Sequence, residues 1–216
     1  MPQTPAGSYS AHWAEGPKLT AVSTAVTIRP AERADAGALA ALFAAQREHL
    51  APWDPRREPG FYTRAGQRAR LTAVERDRAA GTAYRFLIFD DGELAGEIAI
   101  SNVARRSFQS GNLGYWVASE RNGRGVATSA IAAICELAFR ELELHRLEAG
   151  TLLHNVGSQI VLDRNGFLPF GVAPEYLRIA GSWRDHVLFQ RIADRACDPL
   201  GKAALARRIS FLKDPQ

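Results

Sequence analysis

Hydrophobic residues follow two spacings along this chain, and the changes between them predict eleven secondary-structure elements. Short apolar or alternating runs predict strands at 25–29, 83–89, 94–103, 112–117, 147–153, 167–172 and 187–192. Apolar residues three or four positions apart predict helices at 35–50, 62–80, 126–142 and 156–164, the first with Asp35 as its N-cap. The predicted fold class is α/β (α+β): an antiparallel meander, then a β-α-β unit, in a mixed, mostly antiparallel sheet with helices on both faces.

Turn signals and the two ends of the chain set the predicted domain boundaries. Asp90-Asp91-Gly92 is a hairpin signal, and Gly181 marks a loop between the last two strands. The first residues are rich in Pro, Gly, Ser and Thr, which predicts a flexible lead over 1–16. We expect one domain over 17–192 and a C-terminal extension over 193–216 with a short helix at 200–212.

Composition narrows the class of protein. The 216 residues are 46% hydrophobic and 23% charged, which is typical of a globular domain and excludes a largely disordered or collagen-like chain. The net charge is +4, and almost all of the basic residues are arginines. Arginine prefers anions that accept two hydrogen bonds, such as phosphate. A solvated basic surface and a site for a phosphate-bearing or acidic partner therefore both remain open.

Several kinds of site and location are not expected from this sequence. Cys135 and Cys197 are too few for a disulfide framework or a zinc site, and the histidines lack the spacing of metal ligands, so no metal is predicted. The N-terminus has no apolar core like that of a secretory signal, and no stretch is long enough to span a membrane. These features predict a cytoplasmic protein without a membrane partner.

The segment after the strand at 112–117 is the most informative in the chain. It leads through Gly123-Arg124-Gly125 into an apolar helix that begins near Val126. The first turn of a helix has free backbone N–H groups, and glycines let a phosphate come close to them. A connection without a ligand, a Rossmann dinucleotide site and an acetyl-CoA loop are the three interpretations. Thr128 stands where a Rossmann site has Gly or Ala, and no Gly-Lys-Ser/Thr follows for a P-loop.

The third interpretation brings in a family. The segment 113–128 resembles the pyrophosphate motif Gln/Arg-x-x-Gly-x-Gly/Ala of the GCN5-related N-acetyltransferases (GNAT), read here as Asn122-Gly123-Arg124-Gly125-Val126-Ala127 with Asn in the first position. A second family-like segment, 154–158, contains Asn155 and Ser158 and precedes the Gly-Phe at 166–167. The segments 48–54, 100–103, 107–108 and 181–186 resemble the ribosomal-protein-alanine N-acetyltransferase branch. The likeness covers about 17–192.

The resemblance implies a GNAT-type sheet with a β-α-β core that binds acetyl-CoA as cosubstrate. It implies acetyl transfer to a primary amine by direct attack in a ternary complex, with a backbone N–H near Val117 stabilising the oxyanion. The residues that it assigns to acetyl-CoA are Trp116, Val117, Ala118, Asn122, Gly123, Arg124, Gly125, Val126, Ala127, Thr128, Asn155 and Ser158.

The chemistry also needs a base and a proton donor. Many relatives have a glutamate where this chain has Asn112, so we take Glu97 as the candidate base and Glu48 as a second. Many relatives protonate the thiolate with a tyrosine where this chain has Leu162, so Ser158 is the candidate acid. The plainer alternatives are a surface glutamate at Glu97 and helix-start residues at Asn155 and Ser158. We expect Glu48 and Trp53 at the acceptor pocket, unless Trp53 only packs on the core.

The acceptor is left with several candidates. The branch implies the N-terminal alanine of a ribosomal protein, whose α-amine has a pKa of about 7.7–8, against about 10.4 for lysine. The alternatives are a small amine, such as a polyamine, an amino acid or an antibiotic, and a non-catalytic acetyl-CoA or RNA-binding module. The arginine-rich segment 56–78 predicts either a ribosome contact or a solvated face. Analogy with similar proteins suggests a homodimer.

Overall fold

Seven strands form one sheet in the computed structural model, which describes residues 26–193. They are β1 (Val26–Pro30), β2 (Tyr84–Asp90), β3 (Glu93–Ala104), β4 (Ser110–Val117), β5 (Arg146–Leu152), β6 (Leu168–Ile179) and β7 (Ser182–Ile192). Their order is β1-β2-β3-β4-β5-β7-β6. Within the described sheet only β4 and β5 pair in parallel, so the prediction of a mixed, mostly antiparallel sheet is confirmed. The expected lead at 1–16 and the helix at 200–212 lie outside the described residues.

Helices cover both faces of this sheet, as predicted. The helices are α1 (Ala36–Ala45), α2 (Arg47–Leu50), α3 (Arg64–Ala79), α4 (Val126–Arg140) and α5 (Val156–Arg164). On one face, Leu39 and Leu71 from α1 and α3 pack with Leu87 of β2. On the other face, α4 and α5 join a larger core built on the middle strands. None of the helices within 26–193 is long and apolar enough to cross a membrane.

Two predicted elements were wrong in detail. The helix expected at 35–50 is interrupted at Gln46, which separates α1 from α2. Asp35 stands at the N-cap position, but its carboxylate makes no bond to α1. Instead it accepts hydrogen bonds from Arg29 at 2.6 Å and from the Glu32 N–H at 2.9 Å, because a guanidinium on the adjacent strand is the stronger partner.

The loop expected at 173–186 is instead a strand hairpin, in which β6 and β7 extend to a tight turn at Ala180 and Gly181. Most residues of β6 are at least partly exposed, so this half of the hairpin carries no alternating apolar pattern. A β-bulge near Glu175, whose φ is +45°, further interrupts the alternation.

The sheet splits along the seam between β4 and β5. These strands pair only at Ser110–Arg146, Gly111–Leu147 and Asn112–Glu148. Residues 113–117 of β4 pair with β3 on one side and with no described strand on the other. The split leaves backbone N–H and C=O groups of β4 facing a gap, and this gap positions the site.

Candidate functional site

A cleft of about 440 Å³ opens where β4 and β5 diverge. Four parts of the chain line it: the end of β4 with the loop that follows, the first turn of α4, one side of α5, and the segment from His49 to Trp53. The cleft is therefore built at the gap in the sheet, where an extended ligand can pair with the free edge of β4.

The glycine-rich loop forms the anion-binding end of the cleft. Gly123 and Gly125 have φ of +75° and +83°, a conformation that favours glycine, and a Cβ on either would project into open space. Gly125 is the N-cap of α4, so the N–H groups of the first turn lie at the cleft without partners inside the helix. These amides and the absence of side chains fit a pyrophosphate.

A buried carboxylate holds the two arginines of this loop. Asp90, at the end of β2, is only 3% exposed and lies 2.8 Å from Arg121 and 3.5 Å from Arg124. Arg121 lines the cleft, whereas Arg124 does not line it and is half exposed. Of the two arginines, only Arg121 is thus placed to face a phosphate.

A second anchor ties the loop to the break between α1 and α2. The side chain of Gln46 is buried and accepts a hydrogen bond from the Ser119 N–H at 2.9 Å. Its amide nitrogen donates to Glu120 at 3.0 Å. The oxygen and the nitrogen of the Gln46 side-chain amide therefore both form hydrogen bonds to the segment that leads into the glycine-rich loop. These bonds fix that segment to the one that carries His49.

Strand register supports the expectation for Val117. The Ala118 N–H donates to the Ala95 carbonyl at 2.8 Å, which makes Gly96 and Val117 a non-hydrogen-bonded pair. The N–H of Val117 therefore points away from β3 and towards the gap. Ala118 itself is buried and does not line the cleft.

Most residues predicted to bind acetyl-CoA meet in this cleft. Ala118 and Arg124 are the two that do not line it. The residues that do are Trp116, Val117, Asn122, Gly123, Gly125, Val126, Ala127, Thr128, Asn155 and Ser158. Their binding roles remain predictions, but they share one surface.

The sequence did not indicate the closest partner of Ser158. The Ser158 hydroxyl lies 2.7 Å from the hydroxyl of Tyr115 on β4. Burial raises the pKa of Tyr115 to about 12, although the hydrogen bond with Ser158 acts in the opposite direction. Asn155 caps α5 by accepting from the Ser158 N–H at 3.1 Å. One sequence signal could have indicated Tyr115: it lies on the strand before the glycine-rich loop. From that strand its hydroxyl reaches the start of α5.

The two candidate bases lie outside the lining of the cleft. Glu97 is 1% exposed, so it is not a surface glutamate. Its carboxylate accepts from Arg70 at 2.6 Å and lies 3.4 Å from Arg85. Both of its oxygens are therefore engaged with guanidinium groups. Glu48 is exposed and does not line the cleft.

Two neighbours of Glu48 line the cleft, and one of them, Trp53, was itself expected at the acceptor pocket. His49 and Trp53 line the cleft, and the ring of Trp53 lies 5.4 Å from that of His154. Trp53 is 37% exposed, so it forms a wall of the cleft rather than packing in the core. No spacing in the sequence distinguishes His49 from the other histidines. No cluster of potential metal ligands occurs within residues 26–193.

Three features of the cleft suit the acyl transfer that the motifs implied: the free edge of β4, the N-terminus of α4, and the pair of hydroxyls of Tyr115 and Ser158. Comparison with protein families points to the same reaction. The chain belongs to the GNAT acetyltransferase family, because the model of the acetyltransferase (GNAT) domain matches residues 25–168. It is an acyltransferase, and acetyl-CoA is the cosubstrate that this family membership brings.

Named relatives cover most of the chain. The [ribosomal protein uS5]-alanine N-acetyltransferase of Escherichia coli is 35% identical over 174 residues, which are 80% of this chain and 90% of that protein. A probable N-acetyltransferase of Bacillus subtilis, YjcK, is 34% identical over 74% of this chain and 90% of its own length. The structure of Mycobacterium smegmatis RimJ in complex with CoA-disulfide superposes with a TM-score of 0.77 at 32% identity, covering 85% of this chain and 89% of that one.

Proposed function

We propose that this protein is an Nα-acetyltransferase that acetylates the N-terminal alanine of a ribosomal protein. One observation carries the choice of acceptor: among the described residues that line the cleft there is no aspartate or glutamate. A polyamine or a lysine side chain is strongly cationic and needs a carboxylate to bind and deprotonate it, whereas an α-amine is partly neutral near pH 8. The match to an alanine N-acetyltransferase over most of both chains supports the same acceptor.

Acetyl-CoA would lie along the cleft. Its pyrophosphate would be bound by the first-turn amides of α4 and by Arg121, and its pantetheine by the free edge of β4. When bound, it supplies a thioester carbonyl that an amine can attack. The Val117 N–H, which points into the gap, would donate to the oxygen of that carbonyl as negative charge develops there.

The acceptor amine must lose a proton during the attack. Since Glu97 and Glu48 do not line the cleft, His49 is the titratable side chain that we place in this role, directly or through one water. Trp53 beside it would form the wall against which the alanine packs. Ser158, backed by Tyr115, would donate a hydrogen bond to the sulfur of the leaving thiolate. Both substrates would be bound together, so no covalent enzyme intermediate is needed.

The test is a competition between acceptors. The enzyme is incubated with acetyl-CoA and peptides that begin with Ala or Ser, a peptide with a blocked terminus and a free lysine, and spermidine, and products are read by mass spectrometry. We expect transfer to the Ala terminus at the highest kcat/KM. Acetylation confined to spermidine would replace this proposal with a small-amine enzyme.

A matched pair of variants keeps the result interpretable. Gly125→Val places a branched side chain at φ +83° in the loop, whereas Gly37→Ala changes a helical glycine with open space around it. Gly125→Val should abolish the rise in Tm that acetyl-CoA causes, and Gly37→Ala should keep it. A rise in Tm without acetylation of any acceptor would point to the non-catalytic alternative. The ribosome contact, the homodimer and the cytoplasmic location remain predictions.

A further inference from the structure

A second cavity, of about 250 Å³, adjoins the cleft. Leu50 lines both cavities, so they are adjacent. Three arginines face this second cavity, and we call it the arginine pocket: Arg47, Arg56 and Arg57. Two of the three come from the arginine-rich segment that the sequence left without a role.

The arginine pocket has an excess of positive charge. Asp54 is the acidic residue in its lining, and it lies 2.9 Å from Arg57. Arg47 and Arg56 form no ion pair within the described chain. The other arginines of the segment differ in this respect, because Arg70, for example, is held by the buried Glu97.

Each of the three guanidinium groups has a contact that fixes its position, although all three arginines are exposed. Arg47 lies over the ring of Tyr62, and Arg57 over the ring of Phe61, each at 4.8 Å. The N–H edge of Arg57 is occupied by Asp54, whereas the stacked guanidinium of Arg47 keeps its N–H edge free for a planar anion. The Arg56 Nε donates to the Ala180 carbonyl at 3.2 Å, which leaves its two terminal nitrogens available.

The turn of the β6–β7 hairpin completes this arrangement. A Cβ on Gly181 would lie 2.7 Å from the Nε of Arg56, so glycine at this position lets the turn come close to the arginine. The Ala180 N–H also donates to the Asp54 carbonyl at 3.1 Å, which ties the hairpin to the loop that carries the pocket.

We propose that the arginine pocket binds the carboxylate of an acidic residue that follows the acetylated N-terminus of the acceptor protein. This inference rests on the proposed function, because the acceptor chain must extend from the cleft past Leu50. An extended chain advances about 3.3–3.6 Å per residue, so the acidic residue belongs to the first few positions. A small cavity with aromatic walls suits one carboxylate, whereas an RNA backbone needs an open basic face such as that of Arg64 and Arg68 on α3.

The experiment compares peptides that differ in one charge. Ala-initiated peptides carry Glu at position two, three, four or five, and each has a twin with Gln at the same place. For the wild type, we expect kcat/KM for one Glu peptide to exceed that of its twin by about tenfold, mainly through KM. Arg56→Gln and Arg47→Gln should reduce this preference to about twofold without slowing the Gln peptides. Arg68→Gln, which removes an exposed arginine outside the pocket, should keep the preference.

Calorimetric binding of the same peptides to the enzyme loaded with CoA separates the two proposals. Equal kcat/KM for the Glu and Gln twins at every position would overturn the arginine pocket and leave the proposed function standing. Tighter binding of a Glu peptide that depends on Arg56, without any acetylation, would support the pocket and refute the function. No binding of any peptide would overturn both. A loss of binding to a ribosomal RNA fragment in the Arg56 variant, with an unchanged Glu preference, would assign the pocket to nucleic acid instead.

Discussion

The Tyr115 and Ser158 hydroxyl oxygens lie 2.7 Å apart, and this pair joins the free strand of the split sheet to the start of α5. Tyr115 also lies 3.2 Å from the Ser158 carbonyl, so its ring is held at one place across the gap. A serine alone is a weak acid, and a second hydroxyl oriented towards it can direct its proton to the sulfur of a leaving thiolate.

Tyr115→Phe tests this role. We expect kcat to fall by about tenfold, because the Ser158 hydroxyl loses the partner that orients it, while KM for acetyl-CoA changes less than twofold. Steady-state kinetics with an Ala-initiated peptide measures both. Tyr176→Phe, at a tyrosine that is 40% exposed, is the control and should match the wild type. A normal kcat in Tyr115→Phe beside a low kcat in Ser158→Ala would show that Ser158 acts alone.

The same tyrosine makes stability depend on alkaline pH. Its pKa is about 12 in the folded protein and about 10 in the unfolded chain, so the unfolded state ionises first as pH rises. The stabilisation is fully present below pH 10 and is lost progressively between pH 10 and 12. We expect the wild type to lose about 1.3 kcal/mol more stability than Tyr115→Phe between pH 9 and pH 11, because the folded protein is still mostly un-ionised at Tyr115 at pH 11. Urea unfolding at pH 9 and pH 11 measures the difference, and parallel losses in the two proteins would contradict it.

Arg121 and Arg124 should contribute unequally to binding of acetyl-CoA. Both are near Asp90, but only Arg121 lines the cleft. We expect Arg121→Gln to weaken binding of acetyl-CoA about tenfold and Arg124→Gln less than threefold. Isothermal titration calorimetry at two salt concentrations measures both, since the effect of Arg121 should shrink at high salt. Equal losses would mean that Arg124 reorients towards the phosphates.

Glu97 should contribute to stability rather than to proton transfer. Glu97→Gln leaves Arg70 and Arg85 without their shared buried carboxylate. We expect the free energy of unfolding to fall by about 3 kcal/mol, with kcat and its pH profile unchanged at a temperature where the variant is folded. Denaturant unfolding and a pH profile form the test. Loss of the acidic limb of that profile would restore Glu97 as the base.

Much of the fold could be predicted because its core elements carry strong periodic signals. All eleven predicted elements have counterparts, since apolar residues such as Ile131 and Ile134 repeat at the spacing of a buried helix face. The outer halves of β6 and β7 were missed because both faces there are largely exposed, so no alternation marks them. The break at Gln46 was missed because local pattern does not show it; the Gln46 side chain accepts a hydrogen bond from a residue 73 positions away.

The position of the glycine-rich loop at the start of a helix was predictable for a related reason. A glycine-rich loop between a strand and a helix is a local feature, because Gly123 and Gly125 directly precede the helix α4 in the sequence. The side chains that were candidates for catalysis come from separate elements. Tyr115 meets Ser158 across 43 residues, and Glu97 meets Arg70 across 27, so their pairing depends on the sheet order that sequence periodicity leaves undetermined.

The short seam between β4 and β5 has a structural consequence. Three register positions join a plate of four strands to a plate of three, and α4 packs across the joint on one face. The strand pairing at this joint is short, but one buried core continues from one plate to the other through α4. A linear molecule seated along β4 would pair with residues 113–117 in place of the missing strand, so a bound ligand would continue the plate of four strands across the gap.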